Sequence, residues 1–128
     1  MGSAVLVEGK IDAGRTLLEA LDRIGFPIRS AFWFYFSDDD AWRLVIASSL
    51  VRERGPLEAY RRMRSAFPAG EELPLDVEEV WLVKDTEHLV EILKQAVTTE
   101  PTATKSIRFS RSGVGGIYVD DALIYRST

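Results

Sequence analysis

The residues best suited to chemistry are two acidic runs, Asp38-Asp39-Asp40 and Asp120-Asp121. Metal-dependent nucleases and hydrolases gather two or three carboxylates around Mg²⁺, so these runs offer one route to a phosphoester hydrolase. Aspartate is also an ordinary turn residue, because its side chain satisfies nearby backbone groups. A nuclease core would further need an acid beside a Glu-x-Lys on neighbouring strands. The candidate strand reads Glu79-Val80-Trp81, with Lys84 too far along to complete that spacing. We therefore expect solvated turns at both runs, no metal and no cofactor.

One histidine, His88, bears most of the remaining catalytic burden. A Ser-His-Asp triad or a multi-histidine metal site would need it at the centre of a pocket. Its neighbours Glu87 and Glu91 place it instead on the polar side of a helix. There is no Gly-x-Ser-x-Gly elbow and no His-Glu-x-x-His pair. Gly113-Val114-Gly115-Gly116 suggests a phosphate loop only superficially, because such a loop must run into a helix N-terminus. Here Ile117-Tyr118-Val119 follows, which reads as a strand, so a hairpin turn is the better account. Without cysteine the chain has no thiolate nucleophile, Cys-type zinc site or disulfide framework. The balance leans away from an enzyme.

Arg52, Arg54, Arg61, Arg62 and Arg64 fall within 13 residues. Arg61 and Arg64 are helical neighbours that could grip phosphate or an acidic partner, or simply face solvent. Nucleic-acid binding through that face is a third alternative. The net charge of −4 and pI near 5.0 argue against it.

The aromatic residues form the strongest feature. Ala31 to Phe36 reads Ala-Phe-Trp-Phe-Tyr-Phe, and pleating puts Phe32, Phe34 and Phe36 on one face with Trp33 and Tyr35 on the other. We expect the Phe face to be core. Trp33 and Tyr35 are the candidate interface if the helices pack mainly on the opposite side.

The elements that position these groups follow from periodicity. Helix one, with Asp12 as N-cap, carries Leu17, Leu18, Leu21 and Ile24 on one face and stops at Gly25 and Pro27. A hairpin joins Ile28–Phe36 to Trp42–Leu50, and both strands are apolar on both sides, so both sheet faces need cover. Helix two starts at Gly55-Pro56 and carries Tyr60, Met63 and Phe67; a polar loop from Ala69 to Asp76 follows. Strand three spans Val77–Val83, and Asp85 caps a helix bearing Leu89, Val90, Leu93, Ala96 and Val97. The chain closes with a strand over Lys105–Arg111 and two short strands within Ile117–Tyr125, bent at Asp120-Asp121.

This predicts a single α+β domain over residues 1–128, with three helices and a mixed five- or six-stranded sheet in the order α-β-β-α-β-α-β-β, with or without one further β. The longest apolar run is six residues, against the roughly 20 needed to span a bilayer. The N-terminus does not read as a signal peptide. We expect a cytoplasmic, non-catalytic binding or assembly module, self-associating as a homodimer or meeting a protein partner, with no membrane and no nucleic acid.

Overall fold

The computed structural model describes residues 5–68 and 70–128; Ala69, which opens the expected polar loop, and the first four residues lie outside it. The elements are α1 (Glu8–Arg23), β1 (Ser30–Phe36), β2 (Ala41–Ser48), α2 (Ser49–Arg54), α3 (Pro56–Ser65), a 3-10 turn (Val77–Glu79), β3 (Val80–Lys84), α4 (His88–Ala96), β4 (Ile107–Val114) and β5 (Ile117–Ser127). One mixed sheet has the order β3-β2-β1-β5-β4. The β1/β2 and β4/β5 hairpins and the β1/β5 pair are antiparallel. β2 and β3 are parallel, joined through α2 and α3. The chain is thus α+β, as the element order predicts.

Both sheet faces are apolar and both are covered, but unequally. Trp33, Tyr35, Leu44, Ile46, Leu123 and Tyr125 pack with Leu17, Leu18, Leu21, Ala59 and Met63 on the side of α1 and α3. Phe32, Phe34, Val45, Ala47, Ala122 and Ile124 pack with Val90 and Leu93 of α4 on the other. That second helix has nine residues and lies against β4 and β5.

Several boundaries differ from expectation, each for a local reason. Asp12 is not the N-cap. Helix α1 starts a turn earlier, where Lys10 and Ile11 N–H both bond to the Val7 carbonyl and Leu6 and Ile11 extend the buried stripe. Asp12 instead pairs with Arg15 at 3.2 Å. The second strand stops at Ser48 because its hydroxyl accepts the Leu50 N–H at 3.1 Å and starts a fourth helix, α2. Residues 77–79 form a 3-10 turn closed by a reciprocal Asp76/Glu79 capping box, so β3 begins only at Val80. Asp85 does not cap α4; its carboxylate holds Arg52 at 2.8 and 3.1 Å, and Glu87 stands at the N-cap. β5 is one strand of 11 residues, giving five strands rather than six.

Beneath α1 lies a buried polar chain. Trp33 Nε1–H donates to the Tyr125 hydroxyl at 2.9 Å, and that hydroxyl donates to the Ile11 carbonyl at 2.6 Å. Burial pushes the Tyr125 phenol up to about 12, against the partial counter-effect of the Trp33 hydrogen bond. Gly14 makes the approach possible. A Cβ there would stand 2.5 Å from the Tyr125 oxygen and 3.0 Å from Trp33 Nε1.

Candidate functional site

A cleft of about 330 Å³ opens where the β1–β2 turn meets the far ends of β4 and β5. Its apolar wall is Tyr35 and Trp42, whose rings lie 5.6 Å apart. Both belong to the core by most of their surface, being 8% and 9% exposed. The turn residue Asp40, at φ 48, accepts a hydrogen bond from the Tyr35 hydroxyl and fixes the ring that forms the wall. A shallower recess of about 170 Å³, bounded by Phe36, Asp38 and Asp39, shares Tyr35, Ser37, Tyr118 and Asp120 with the cleft.

The polar wall comes from an irregularity in the β4/β5 ladder. Cα pairing omits Arg111 and Asp120, and Arg111 has φ 51. Val119 and Ala122, three residues apart, both pack on the α4 side, so the pleat is interrupted between them. The bend expected at Asp120-Asp121 is therefore real, but it redirects side chains without dividing the strand. Both carboxylates consequently line the cleft. Asp121 receives Arg108 through two hydrogen bonds of 2.6 Å, which hold that guanidinium above its usual range, and Arg108 also lies 5.6 Å from the Trp42 ring centre.

The other sequence candidates scatter. Trp33 is fully buried under α1, and its indole hydrogen is spent on Tyr125, so it forms no exposed patch; Tyr35 reaches the surface only as a cleft wall. Arg61 pairs with Glu58 at 4.0 Å and Arg64 donates to the Glu71 carbonyl at 3.2 Å, both in solvent. Arg61, with Arg62, borders a shallow groove that also contains Glu58, which dilutes its positive charge; Arg64 does not line it. His88 is exposed at the start of α4. Gly115 and Gly116, both at positive φ, turn one strand into the next as expected. Asp38 and Asp39 meet Asp120 around the shallower recess, but among the described residues no three His, Asp or Glu side chains are placed to hold a metal ion. No described helix is long and apolar enough to cross a membrane.

An exposed aromatic patch does exist, on the opposite face from the one expected. α4 leaves the β2/β3 end of its face open, and there Trp81 is 38% exposed. Phe36 packs on Trp81 with centroids 4.9 Å apart, and the Arg43 guanidinium lies 5.5 Å from the Trp81 ring. The adjoining sheet edge is closed: the Tyr60 hydroxyl accepts the Leu82 N–H at 3.2 Å and donates to the Val80 carbonyl at 2.8 Å. Those groups would otherwise be open to a foreign strand. One sequence signal pointed here, since Trp81 alternates with Val80 and Leu82 on a strand whose inner face those two already fill.

One ion-pair cluster ties the C-terminus to α4, and a second joins α2 to Asp85. Arg29 bridges Glu91 at 2.9 and 3.2 Å and donates to the carbonyls of Asp85 and Thr128. Hydrogen bonds from Arg52 hold Asp85 below the usual carboxylate range, and those from Arg29 do the same for Glu91. Comparison with models of known protein families, with curated proteins and with solved structures finds no match to this chain.

Proposed function

We propose that this chain is a non-catalytic binding or assembly module that self-associates as a homodimer through the open end of its α4-side sheet face, in the cytoplasm. The observation that carries this reading is the half-exposed Trp81, stacked on Phe36 and flanked by Arg43. Trp and Arg are the residue types that dominate interface energetics, and they do so where water is excluded. A second copy is the occupant because the patch holds both halves of a cation–π pair, so a two-fold axis sets each guanidinium near the other copy's ring. Closure of the β3 edge by Tyr60 makes this a face-to-face contact, with no strand added to the sheet.

The patch is small beside the roughly 800 Å² per partner of a stable interface, so the dimer is weak and concentration-dependent. Light scattering behind size exclusion tests it. The expected result is a mass rising above 14.4 kDa as the loaded concentration increases, with Trp81→Ser holding the monomer mass throughout. A wild-type chain that stays at 14.4 kDa at the highest concentration overturns the proposal.

A further inference from the structure

We propose that the cleft between the β1–β2 turn and the β4/β5 irregularity binds a small zwitterion, an amine and a carboxylate on one apolar body, as in a free amino acid. Two of the four charges in the cleft region are already committed to each other. Asp121 is occupied by Arg108 through both carboxylate oxygens. Asp120 and Arg111 also line the cleft, and neither side chain has a hydrogen bond or ion pair among the described residues. They occupy the skipped position of the ladder, opposite one another, yet they do not join in an ion pair. The uncommitted charges of the cleft are therefore one carboxylate and one guanidinium. A ligand bearing the two opposite charges satisfies both, whereas a ligand with one charge is repelled by the residue it does not neutralise.

Size and wall chemistry agree with this. About 330 Å³ lies at the small end of ligand sites, fitting an amino acid better than a nucleotide. Tyr35, Trp42 and the exposed Tyr118 give the apolar body aromatic surface. Trp42 with Asp121 already holds one guanidinium, Arg108, by the combination of ring face and carboxylate that Tyr118 and Asp120 offer beside it. Arg111, at φ 51, is held in its unusual conformation by the ladder irregularity and not by any side-chain partner. That irregularity turns Asp120 and Asp121 toward the same opening, and strained positions of this kind recur at ligand sites. Asp38 and Asp39 in the adjoining recess add negative charge, so the amine end should lie toward the β1–β2 turn.

The test uses isothermal titration of the full chain with three probes of one shape: L-phenylalanine, phenethylamine (amine only) and 3-phenylpropionate (carboxylate only). Two variants accompany it, Asp120→Asn, a neutral isostere, and Arg111→Asn, asparagine being chosen there because it tolerates positive φ. L-Phenylalanine is expected to bind at least about tenfold more tightly than either analogue, because each analogue forfeits one charge-assisted contact. Each variant should lose a similar factor for L-phenylalanine. Asp120→Asn should spare 3-phenylpropionate, and Arg111→Asn should spare phenethylamine. Phenethylamine binding as well as L-phenylalanine, with Arg111→Asn indifferent, overturns the zwitterion in favour of a plain cation site. No heat from any probe at millimolar concentration overturns the site itself. Unchanged melting temperatures confirm that the variants, both at the surface, report on binding.

Discussion

Replacing Gly14 by alanine should destabilise this protein, although the same change in an exposed helix interior stabilises by about 1 kcal/mol. The reason is the distance between α1 and the sheet. The new Cβ would stand 2.5 Å from the Tyr125 oxygen, 3.1 Å from its Cζ and 3.0 Å from Trp33 Nε1, all on buried side chains. Either α1 moves outward or the Tyr125 ring is displaced from the Ile11 carbonyl and the Trp33 indole. Overpacking a filled core costs about 1–3 kcal/mol, and a buried donor left unsatisfied costs about 1–3 kcal/mol more. Against the propensity gain, the net loss is about 1–5 kcal/mol. Urea unfolding followed by tryptophan fluorescence measures it, with an unchanged m-value showing that the same two states are compared. Tyr125→Phe makes the test specific. By itself it should cost about 1–2 kcal/mol, because the Trp33 N–H loses its acceptor. In that background the closest clash is gone and only contacts near 3.0 Å remain, so Gly14→Ala should cost about 1 kcal/mol less than in the wild type. Refutation would be a Gly14→Ala protein more stable than wild type, or two substitutions that simply add.

Arg126 is buried to 2% at its side chain and holds Asp22 at 2.8 and 3.1 Å, with Nε–H donating to the Ala103 carbonyl. Asp22→Asn should therefore cost about 2 kcal/mol, since it leaves a buried guanidinium without its counter-charge. Asp121→Asn, at the solvent-exposed Arg108 pair, should cost about 0.5 kcal/mol, and chemical denaturation compares the two. Asp85 and Glu91 are held below their unfolded values by Arg52 and Arg29, so they stabilise above the unfolded carboxylate range near 4, and that contribution is lost as pH falls through the lowered folded values. The acid limb of a stability–pH curve should flatten in an Asp85→Asn/Glu91→Gln double variant. Tyr125 has the opposite sense: its folded value, about 12, lies above the unfolded value near 10. Stability should fall as pH rises between the two, because only the unfolded state then loses the proton, and Tyr125→Phe should be less sensitive over that interval.

Local periodicity made the elements legible wherever one face of a segment packs against something. The stripe of Leu17, Leu18 and Leu21 and the two-sided apolar strands required the helices and the doubly covered sheet that the structure has. What periodicity did not contain was which helix covers which face. Phe32, Phe34 and Phe36 looked most like core, yet Phe36 ends beside the exposed Trp81, while Trp33 disappears beneath α1. That outcome depends on the close approach at Gly14 and on the short length of α4, and neither is written in β1 itself. Asp120 and Asp121 were recognisable as a bend, but their shared cleft was not, because its other wall comes from residues some 80 positions earlier. The Tyr60 plug on the β3 edge was invisible for the same reason: the apolar row of its helix assigns the ring to the core and says nothing of the hydroxyl.

Self-association is read at the patch itself by an ¹⁵N-resolved NMR dilution series on the three indole N–H resonances, those of Trp33, Trp42 and Trp81. Self-association through the α4-side patch predicts that the Trp81 resonance shifts progressively with concentration, while Trp33, locked to Tyr125, stays fixed. An indole spectrum that does not move over the whole series would contradict it, as would a shift confined to Trp33 or Trp42.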